Sequence, residues 1–380
     1  MLERVRSFLT KETVLVVAVI AALISCAFVP FDECYARYID WHTIALLFCL
    51  MAVVSGLRFL GVMRLLGQLI VSKASSKRSV CLFLVALAFF SSMLVTNDVA
   101  LITFVPLALV ALSEAGMEKE GASVVVLMTV AANLGSMLLP IGNPQNLFLY
   151  QVSGMGFGEF VSLMAPLVAA SGVLLLLASF AVAPCKAPVS LNVAEQADGT
   201  IGAAGKSTAK LIVYLVLFLL CLCSVLGYLD AFILVPLVAA VLAIADFRAL
   251  AKVDIGLLLT FAALFVFVGN LGRIPFVFGA LSAVCDASPF AAAVCSSQAI
   301  SNVPAAVLLS GFTDNCQALI VGTNVGGLGT LIASMASLIS FKVATGTRFV
   351  EKGRYMVVFT AWNIAFLTVL CAVAVLMGLA

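Results

Sequence analysis

Two short polar motifs interrupt long apolar runs within residues 91–146, and these breaks limit the possible folds more than any other feature. They read Thr96-Asn97-Asp98 and Gly142-Asn143-Pro144-Gln145-Asn146. In membrane hydrocarbon an unpaired backbone N–H or C=O costs several kcal/mol, so a spanning helix is expected to be continuous. A break is stable only where the freed groups line a cavity or hold a ligand, and paired breaks indicate a transporter binding site.

The composition places the whole chain in a membrane. Its 380 residues are 64% hydrophobic and 10% charged, whereas a soluble domain carries about 25% charged residues. There is too little polar surface to cover a water-soluble globule. We therefore predict an all-α polytopic membrane protein with about 9–11 transmembrane segments.

Apolar runs of about 20 residues predict the individual spans. Uninterrupted spans are expected at 13–30, 42–57, 159–183, 210–229, 231–247, 254–270 and 355–379. Broken spans are expected at 121–150 and 317–341. Residues 79–112 and 287–312 each contain two apolar arms around a polar break. Because each arm is too short to span alone, we predict two re-entrant hairpins.

Basic residues predict a cytoplasmic N-terminus. Of the 20 lysines and arginines, only Arg37 and Arg273 then lie on the outer side, which is a strong positive-inside bias. Residues 58–78 alternate basic and apolar residues at helical spacing, as an interfacial amphipathic helix does, and residues 271–285 are expected to be its outer counterpart.

The two halves of the chain share their order of elements and two polar spacings, which predicts an inverted repeat. The shared spacings are Ser92-x3-Thr96-Asn97 with Ser297-x3-Ser301-Asn302, and Asn133-x-Gly135-Ser136 with Asn324-x-Gly326-Gly327. The resulting division is an N-terminal span (1–40), a first repeat (41–183), a linker with two connecting spans (184–253) and a second repeat (254–380).

Asp98 is the only carboxylate expected at membrane depth, and such a group is a candidate proton carrier or cation ligand. The alternative is structural, with Asn97 or Asp98 as the N-cap of a helix over 99–112. The matching residue of the second half is Val303, so the two halves differ in charge.

The second motif predicts a helix that restarts inside the membrane, with Asn143 as N-cap and Pro144 at the first helical position. The positive N-terminal end of such a helix suits an anion, and Gln145 and Asn146 add polar groups. A kink without a binding role is the alternative. The second half has Met335-Ala336-Ser337 in the matching place, so we expect a substrate site lopsided toward the first half.

Several function classes are excluded by what the sequence lacks. A single histidine without an HExxH motif argues against an intramembrane metalloprotease, and no nucleophile and base pair indicates another enzyme. No phosphate-binding GxxxxGK[ST] motif is present, and no basic tract suits nucleic acid. Transport by this chain is therefore expected to be secondary or passive, with no ATPase domain and no transition metal.

These motifs together resemble the ion transporter superfamily, in its citrate-transporter-like and arsenite-permease-like branch. The resemblance runs from Asp40-Trp41-His42-Thr43-Ile44 through TNDVAL and GSMLLPIGNPQN to SQAISNVP. It implies a homodimeric bacterial inner-membrane permease with a scaffold and a transport domain, which moves as an elevator. It also implies no cofactor other than Na⁺ or H⁺ as the coupling ion. The Asn-Asp tip is more similar to arsenite and sodium/proton members than to dicarboxylate members.

The residues and the resemblance together give two sets of candidates. The expected substrate-binding residues are Thr96, Asn97, Asp98, Gly142, Asn143, Pro144, Gln145, Asn146, Ser301, Asn302, Val303 and Thr330. The expected cation-binding residues are Ser92, Thr96, Asn97, Asp98, Asn133, Gly135, Ser297, Ser301, Asn302, Asn324 and Gly326. The leading hypothesis is a secondary transporter for a small anion or oxyanion, coupled to Na⁺ or H⁺. A cation/proton antiporter that uses Asp98, a non-coupled channel and a membrane scaffold remain alternatives.

Overall fold

A computed structural model describes residues 12–183, 208–347 and 350–378, and the regular elements in these ranges are all helices. The helices up to the linker are α1 (Thr13–Cys26), α2 (Cys34–Tyr38), α3 (Trp41–Phe59), α4 (Val62–Val71), α5 (Lys77–Leu94), α6 (Asn97–Glu114), α7 (Gly121–Gly135), a 3-10 turn (Pro140–Gly142), α8 (Pro144–Ser153) and α9 (Phe157–Val182). Those after it are α10 (Thr208–Val225), α11 (Ala231–Ala245), α12 (Phe247–Leu250), α13 (Ile255–Leu271), α14 (Pro275–Ala287), α15 (Pro289–Ile300), α16 (Asn302–Ser310), α17 (Cys316–Val325), α18 (Met335–Thr345) and α19 (Lys352–Leu376).

The helices confirm a polytopic membrane protein. Within the described ranges six helices are long and apolar enough to cross a membrane, namely α3, α5, α6, α9, α10 and α19. The pair α13 and α14 adds a seventh if it is one span bent by 104°. The start of the predicted N-terminal span (1–11) and the linker at 184–207 lie outside the described residues.

Two predicted spans are shorter than expected. Helix α1 has 14 residues rather than the whole of 13–30, and α11 has 15 rather than the whole of 231–247. The first ends at Cys26, before Pro30, which lacks the backbone N–H that a continuing helix needs. The second ends at Ala245, because the next residue, Asp246, has poor helix propensity.

The first hairpin corrects one prediction. Helices α5 and α6 have 18 residues each, which is about 27 Å of helix and close to the thickness of the hydrocarbon core. The prediction that both arms at 79–112 are too short to span is therefore wrong. The Lys77 ammonium donates to the Gly116 carbonyl at 2.7 Å, so the two ends of the hairpin lie next to each other. The predicted orientation is unaffected, because the chain returns to its side of entry either way.

The second hairpin is much shorter. Helix α15 has 12 residues and α16 has 9, which is about 18 Å and 14 Å of helix. Neither arm reaches across about 30 Å of hydrocarbon, as predicted for 287–312. The two hairpins are thus equivalent in position along the chain and unequal in depth.

The hairpins and broken helices pack crosswise. Each first arm lies on the first part of its own half's broken helix, α5 on α7 and α15 on α17. Each second arm packs on the restarted part of the other half's broken helix, α6 on α18 and α16 on α8. Helix α3 contacts α10, α11 and α13 beside this unit, and α13 contacts α1. The order of elements is the same in both halves, and their inverted relation stays a prediction.

Candidate substrate and cation site

The tip of the first hairpin is built around Thr96. This residue is extended, with φ −61° and ψ 149°, and α6 begins immediately after it at Asn97. The alternative in which Asn97 or Asp98 is the N-cap of a helix over 99–112 is therefore wrong. The N-cap is Thr96, and the helix begins at Asn97. Asp98 lies in the first turn of α6, and its side chain is free of a capping role.

Asn133, at the end of α7, joins the first tip to the second broken helix. Its Oδ1 accepts from the Asn97 amide at 3.0 Å and from the Ser334 hydroxyl at 3.0 Å. Its own amide donates to the Ser337 hydroxyl at 3.3 Å. These four side chains are all buried. One amide therefore connects a hairpin tip and both broken helices.

Asn324, at the end of α17, is the counterpart of Asn133 and joins the second broken helix to the restarted part of the first. Its Oδ1 accepts from Asn143 at 3.1 Å, and its amide donates to Asn146 Oδ1 and to the Ile320 carbonyl. Asn143 is the N-cap of α8 and accepts from the Asn146 backbone N–H at 2.9 Å. The predicted restart at Asn143 and Pro144 is thus confirmed.

The sequence interpretation missed Ser334 and Ser337. In the alignment of the halves these two serines occupy the places of Asn143 and Asn146, and they bond Asn133 as that pair bonds Asn324. The alignment was the available signal. The match was not recognised because the residue types differ: serine hydroxyls stand in place of asparagine amides. A hydroxyl can nevertheless donate and accept a hydrogen bond as an amide does.

The second tip has a strained backbone. Ser301 has φ 74° and ψ 154°, and it is the one non-glycine residue with positive φ among the described residues. The conformation is held by two bonds to the Ala333 carbonyl, from the Asn302 backbone N–H at 3.0 Å and from the Ser301 hydroxyl at 3.3 Å. Strain of this kind persists only where the surroundings hold it, and it is frequent at functional sites.

Two glycines bring each first arm close to its broken helix. A Cβ on Gly135 would lie 2.0 Å from the Phe89 carbonyl oxygen and 2.5 Å from the Ser92 hydroxyl. A Cβ on Gly326 would lie 2.9 Å from the side chain of Ser297. The structure therefore brings together the serine and glycine that the family resemblance assigned to each expected cation site.

A cavity of about 210 Å³ opens at the first tip. The first tip and the start of α8 contribute Thr96, Asp98, Asn143 and Pro144, and one face of α3 supplies an apolar wall. Among the described residues, the Asp98 carboxylate receives no hydrogen bond and has no cation within 4.0 Å. Carboxylates without a partner in a helix of membrane-spanning length are rare and usually functional.

The charged rim of this cavity lies at the ends of two helices. Arg58 comes from the last turn of α3, while Lys252 and Asp254 precede α13. All three are exposed and belong to the side predicted to be cytoplasmic. The rim therefore offers cations to a solute entering from that side.

A second cavity, of about 270 Å³, lies at the second tip. Val303 and Pro304 of α16 line it together with α18 and the start of α1, and Lys342 is at its edge. The two cavities share Asp254, Leu257 and Ile339 as a common wall. The second tip therefore presents an apolar residue where the first presents a carboxylate.

The remaining predicted residues divide into buried and exposed positions. Gly142, Gln145 and Asn302 are buried close to the breaks. A Cβ on Gly142 would lie 2.1 Å from the Ser136 carbonyl oxygen, so this turn requires glycine. Thr330 is exposed and lines neither cavity. Its binding role stays a prediction without support from its position.

Comparisons with known proteins agree with this architecture. A model of the citrate transporter family matches residues 4–317. An uncharacterized transporter of Methanocaldococcus jannaschii is 35% identical over 88% of this chain and 90% of its own length. The inner membrane protein YbiR of Escherichia coli is 33% identical over 84% of this chain and 85% of its own length. A silicon efflux transporter of Oryza sativa is 29% identical over 38% of this chain and 30% of its own length.

Proposed function

This chain belongs to the citrate transporter family, and we propose that it is a secondary active transporter that moves a small anion or oxyanion with Na⁺ or H⁺ as the coupling ion. It is a multi-pass membrane transporter of the citrate-transporter and arsenite-permease type. The bacterial inner membrane is its proposed location, by similarity to the inner membrane protein of Escherichia coli.

The single observation that carries the proposal is the Asp98 carboxylate, which lines the first cavity and has no protein cation within 4.0 Å. The start of α8 at Asn143 and Pro144 faces the same cavity, and the positive end of the helix dipole favours an anion there. An anion in this cavity and an ionised Asp98 repel each other. A proton or Na⁺ on Asp98 removes the repulsion, and the anion and the coupling ion then bind together.

Charge at the rim supports an anionic substrate. Arg58 and Lys252 stand at the mouth of the first cavity, and a cleft edged by one sign of charge raises the local concentration of the opposite ion. Asp254 at the same rim reduces this effect. The charged residues at the rim therefore affect how fast an anion enters the cavity rather than which anion is selected.

A movement of the site would shift the hairpins and broken helices together relative to α3 and the helices packed beside it. Asn133 and Asn324 bond the first hairpin and the two broken helices to one another, and Gln298 and Asn302 bond the second hairpin to the second broken helix, so these elements are suited to move as one body. The cavity lies between this body and α3, where a sliding interface would be required. We propose an elevator movement of the body within a homodimeric scaffold.

The direct test is uptake into proteoliposomes that contain the purified full-length protein. Citrate, succinate, sulfate, phosphate and arsenite would be offered with and without Na⁺ and pH gradients. We expect Asp98→Asn to lower ion-dependent uptake by about 10- to 100-fold, since a lost interaction with a charged group is worth roughly 1.5–3 kcal/mol. Asp230→Asn is the matched control, because Asp230 caps α11 and lines neither cavity. Unchanged ion dependence in Asp98→Asn would remove the carboxylate from the coupling.

Cation/proton antiport is the second candidate, and the same unpaired carboxylate favours it. In that case Na⁺ alone, with no anion present, would discharge a pH gradient across the vesicles. The anion transporter instead requires its substrate for this flux. A flux that never saturates and ignores both gradients would identify a channel and contradict both proposals.

A further inference from the structure

Gln298 lies in the last turn of α15, next to Ser297, and its amide nitrogen is surrounded by carbonyl oxygens. Nε2 lies 2.8 Å from the Gly326 oxygen, 2.9 Å from the Leu328 oxygen and 3.2 Å from the Val294 oxygen. An amide NH₂ group has two protons, so three carbonyls exceed its donor capacity. Convergence of several oxygens on one point is typical of a bound cation.

The opposite side of the Gln298 side chain is also fixed. The Thr330 backbone N–H donates to Oε1 at 2.9 Å, and the Thr330 hydroxyl donates to the Gln298 carbonyl at 3.0 Å. Gly329 has φ 104°, and a Cβ there would lie 2.2 Å from Oε1. Only glycine tolerates both the conformation and the contact. The break in the second broken helix is therefore built around this one side chain.

The first hairpin has no such group. Met93 follows Ser92 as Gln298 follows Ser297, and a thioether cannot donate a hydrogen bond. Among the described residues, the carbonyls of Ser92, Met93 and Leu94 receive no hydrogen bond. The Thr96 hydroxyl, which lines the first cavity, makes no capping bond either. The Thr96 hydroxyl and the carbonyls that end α5 are thus free, although the side chains of Ser92 and Asn97 are bonded within the protein. At the second hairpin the Gly326 and Leu328 carbonyls are bonded to an amide.

We propose that the side-chain amide of Gln298 takes the place of a bound cation at the second hairpin, so that the cation position at the first hairpin is the only one. The partial positive charge of the NH₂ group stabilises the converging carbonyls, and its volume fills the position. The inference rests on the proposed function in one respect, namely that the position at the first hairpin holds the coupling cation. The replacement of a cation by the Gln298 amide at the second hairpin can be tested separately.

The experiment compares thermal unfolding of the full-length protein in Na⁺ and in choline for wild type, Gln298→Glu and Gln151→Glu. Gln298→Glu keeps the shape of the side chain but replaces the amide NH₂ donor with a carboxylate oxygen. This oxygen and the carbonyl oxygens around it repel one another unless a cation lies between them. We expect its melting temperature to fall in choline and to rise again with Na⁺ by about 5 °C more than in wild type. Gln151 is the control, because its amide meets a single carbonyl, that of Val225 at 3.4 Å.

Two results would overturn the inference. One is a Gln298→Glu protein whose Na⁺ response matches that of Gln151→Glu, which would make Gln298 an ordinary structural bond. The other is equilibrium binding of radioactive sodium to wild type with two ions per chain, where we expect at most one. The binding measurement decides the question even if the variant fails to fold. A wild type that binds no Na⁺, combined with a gained response in Gln298→Glu, supports the role of Gln298 and limits coupling in the proposed function to H⁺.

Discussion

The two hairpins carry the same serine and asparagine spacing but differ in length, strain and charge. The first has arms of 18 residues, an ordinary extended Thr96 and an unpaired Asp98. The second has arms of 12 and 9 residues, a strained Ser301 and an apolar Val303. The first tip leaves Thr96 and Asp98 available to a ligand, whereas the Ser301 hydroxyl of the second tip is bonded to the Ala333 carbonyl. Under the proposed function, the duplicated motif binds in one copy and holds structure in the other.

The two connecting asparagines show the same inequality. Asn324 is bonded to two further amides, those of Asn143 and Asn146. Asn133 is bonded to one amide, that of Asn97, and to two serine hydroxyls. Hydroxyls rotate to find other partners, whereas an amide has a fixed geometry. The two copies of the connection are thus expected to differ in how much they contribute to stability.

The largest difference is expected at the glycines under the two hairpins. Gly135→Ala places a Cβ 2.0 Å from the Phe89 carbonyl oxygen, and Gly326→Ala places one 2.7 Å from the Gly322 carbonyl oxygen. Overpacking typically costs 1–3 kcal/mol, so we expect about 3 kcal/mol for Gly135→Ala and about 1 kcal/mol for Gly326→Ala. Melting temperature in detergent measures both. Gly172→Ala, whose Cβ would be 3.8 Å from its nearest neighbour, is the control and should lose nothing.

A smaller difference is expected at the connecting asparagines. We expect Asn324→Ala to lower the free energy of unfolding by about 3 kcal/mol and Asn133→Ala by about 2 kcal/mol, because each leaves buried partners unsatisfied. Asn363→Ala removes a buried amide with one bond, to the Phe359 carbonyl at 2.9 Å, and should cost about 1 kcal/mol. Denaturant unfolding ranks the three. Equal losses for Asn133→Ala and Asn324→Ala would show that the connections are equivalent.

The smallest effect is expected at the tips themselves. Ser301→Gly relieves a backbone conformation that costs roughly 1–3 kcal/mol and loses one hydroxyl bond, so we expect a net gain of about 1 kcal/mol. Thr96→Gly relieves nothing, since Thr96 has φ −61°, and should cost about 0.5–1 kcal/mol. Ser301→Ala is the control that loses the hydroxyl and keeps the strain. A Ser301→Gly protein less stable than Ser301→Ala would mean that the tip is not strained.

The sequence by itself determined the features that depend on neighbouring residues. Apolar runs gave the membrane class, and the polar breaks appeared where helices end in the structure. Asn143 and Pro144 restart a helix as expected, because capping involves groups within three residues of each other. The resemblance to the ion transporter superfamily also anticipated that Ser92 and Gly135 lie close together.

Only the tertiary structure decided which broken segment bonds which. Asn324 meets Asn146 across 178 residues, and Ser334 meets Asn133 across 201, so no local pattern contains either pair. The roles of Gln298 and of the unpaired Asp98 carboxylate depend in the same way on distant elements. A hydrogen-bond donor shows in the sequence, but whether it is satisfied depends on the acceptors that the fold brings within reach.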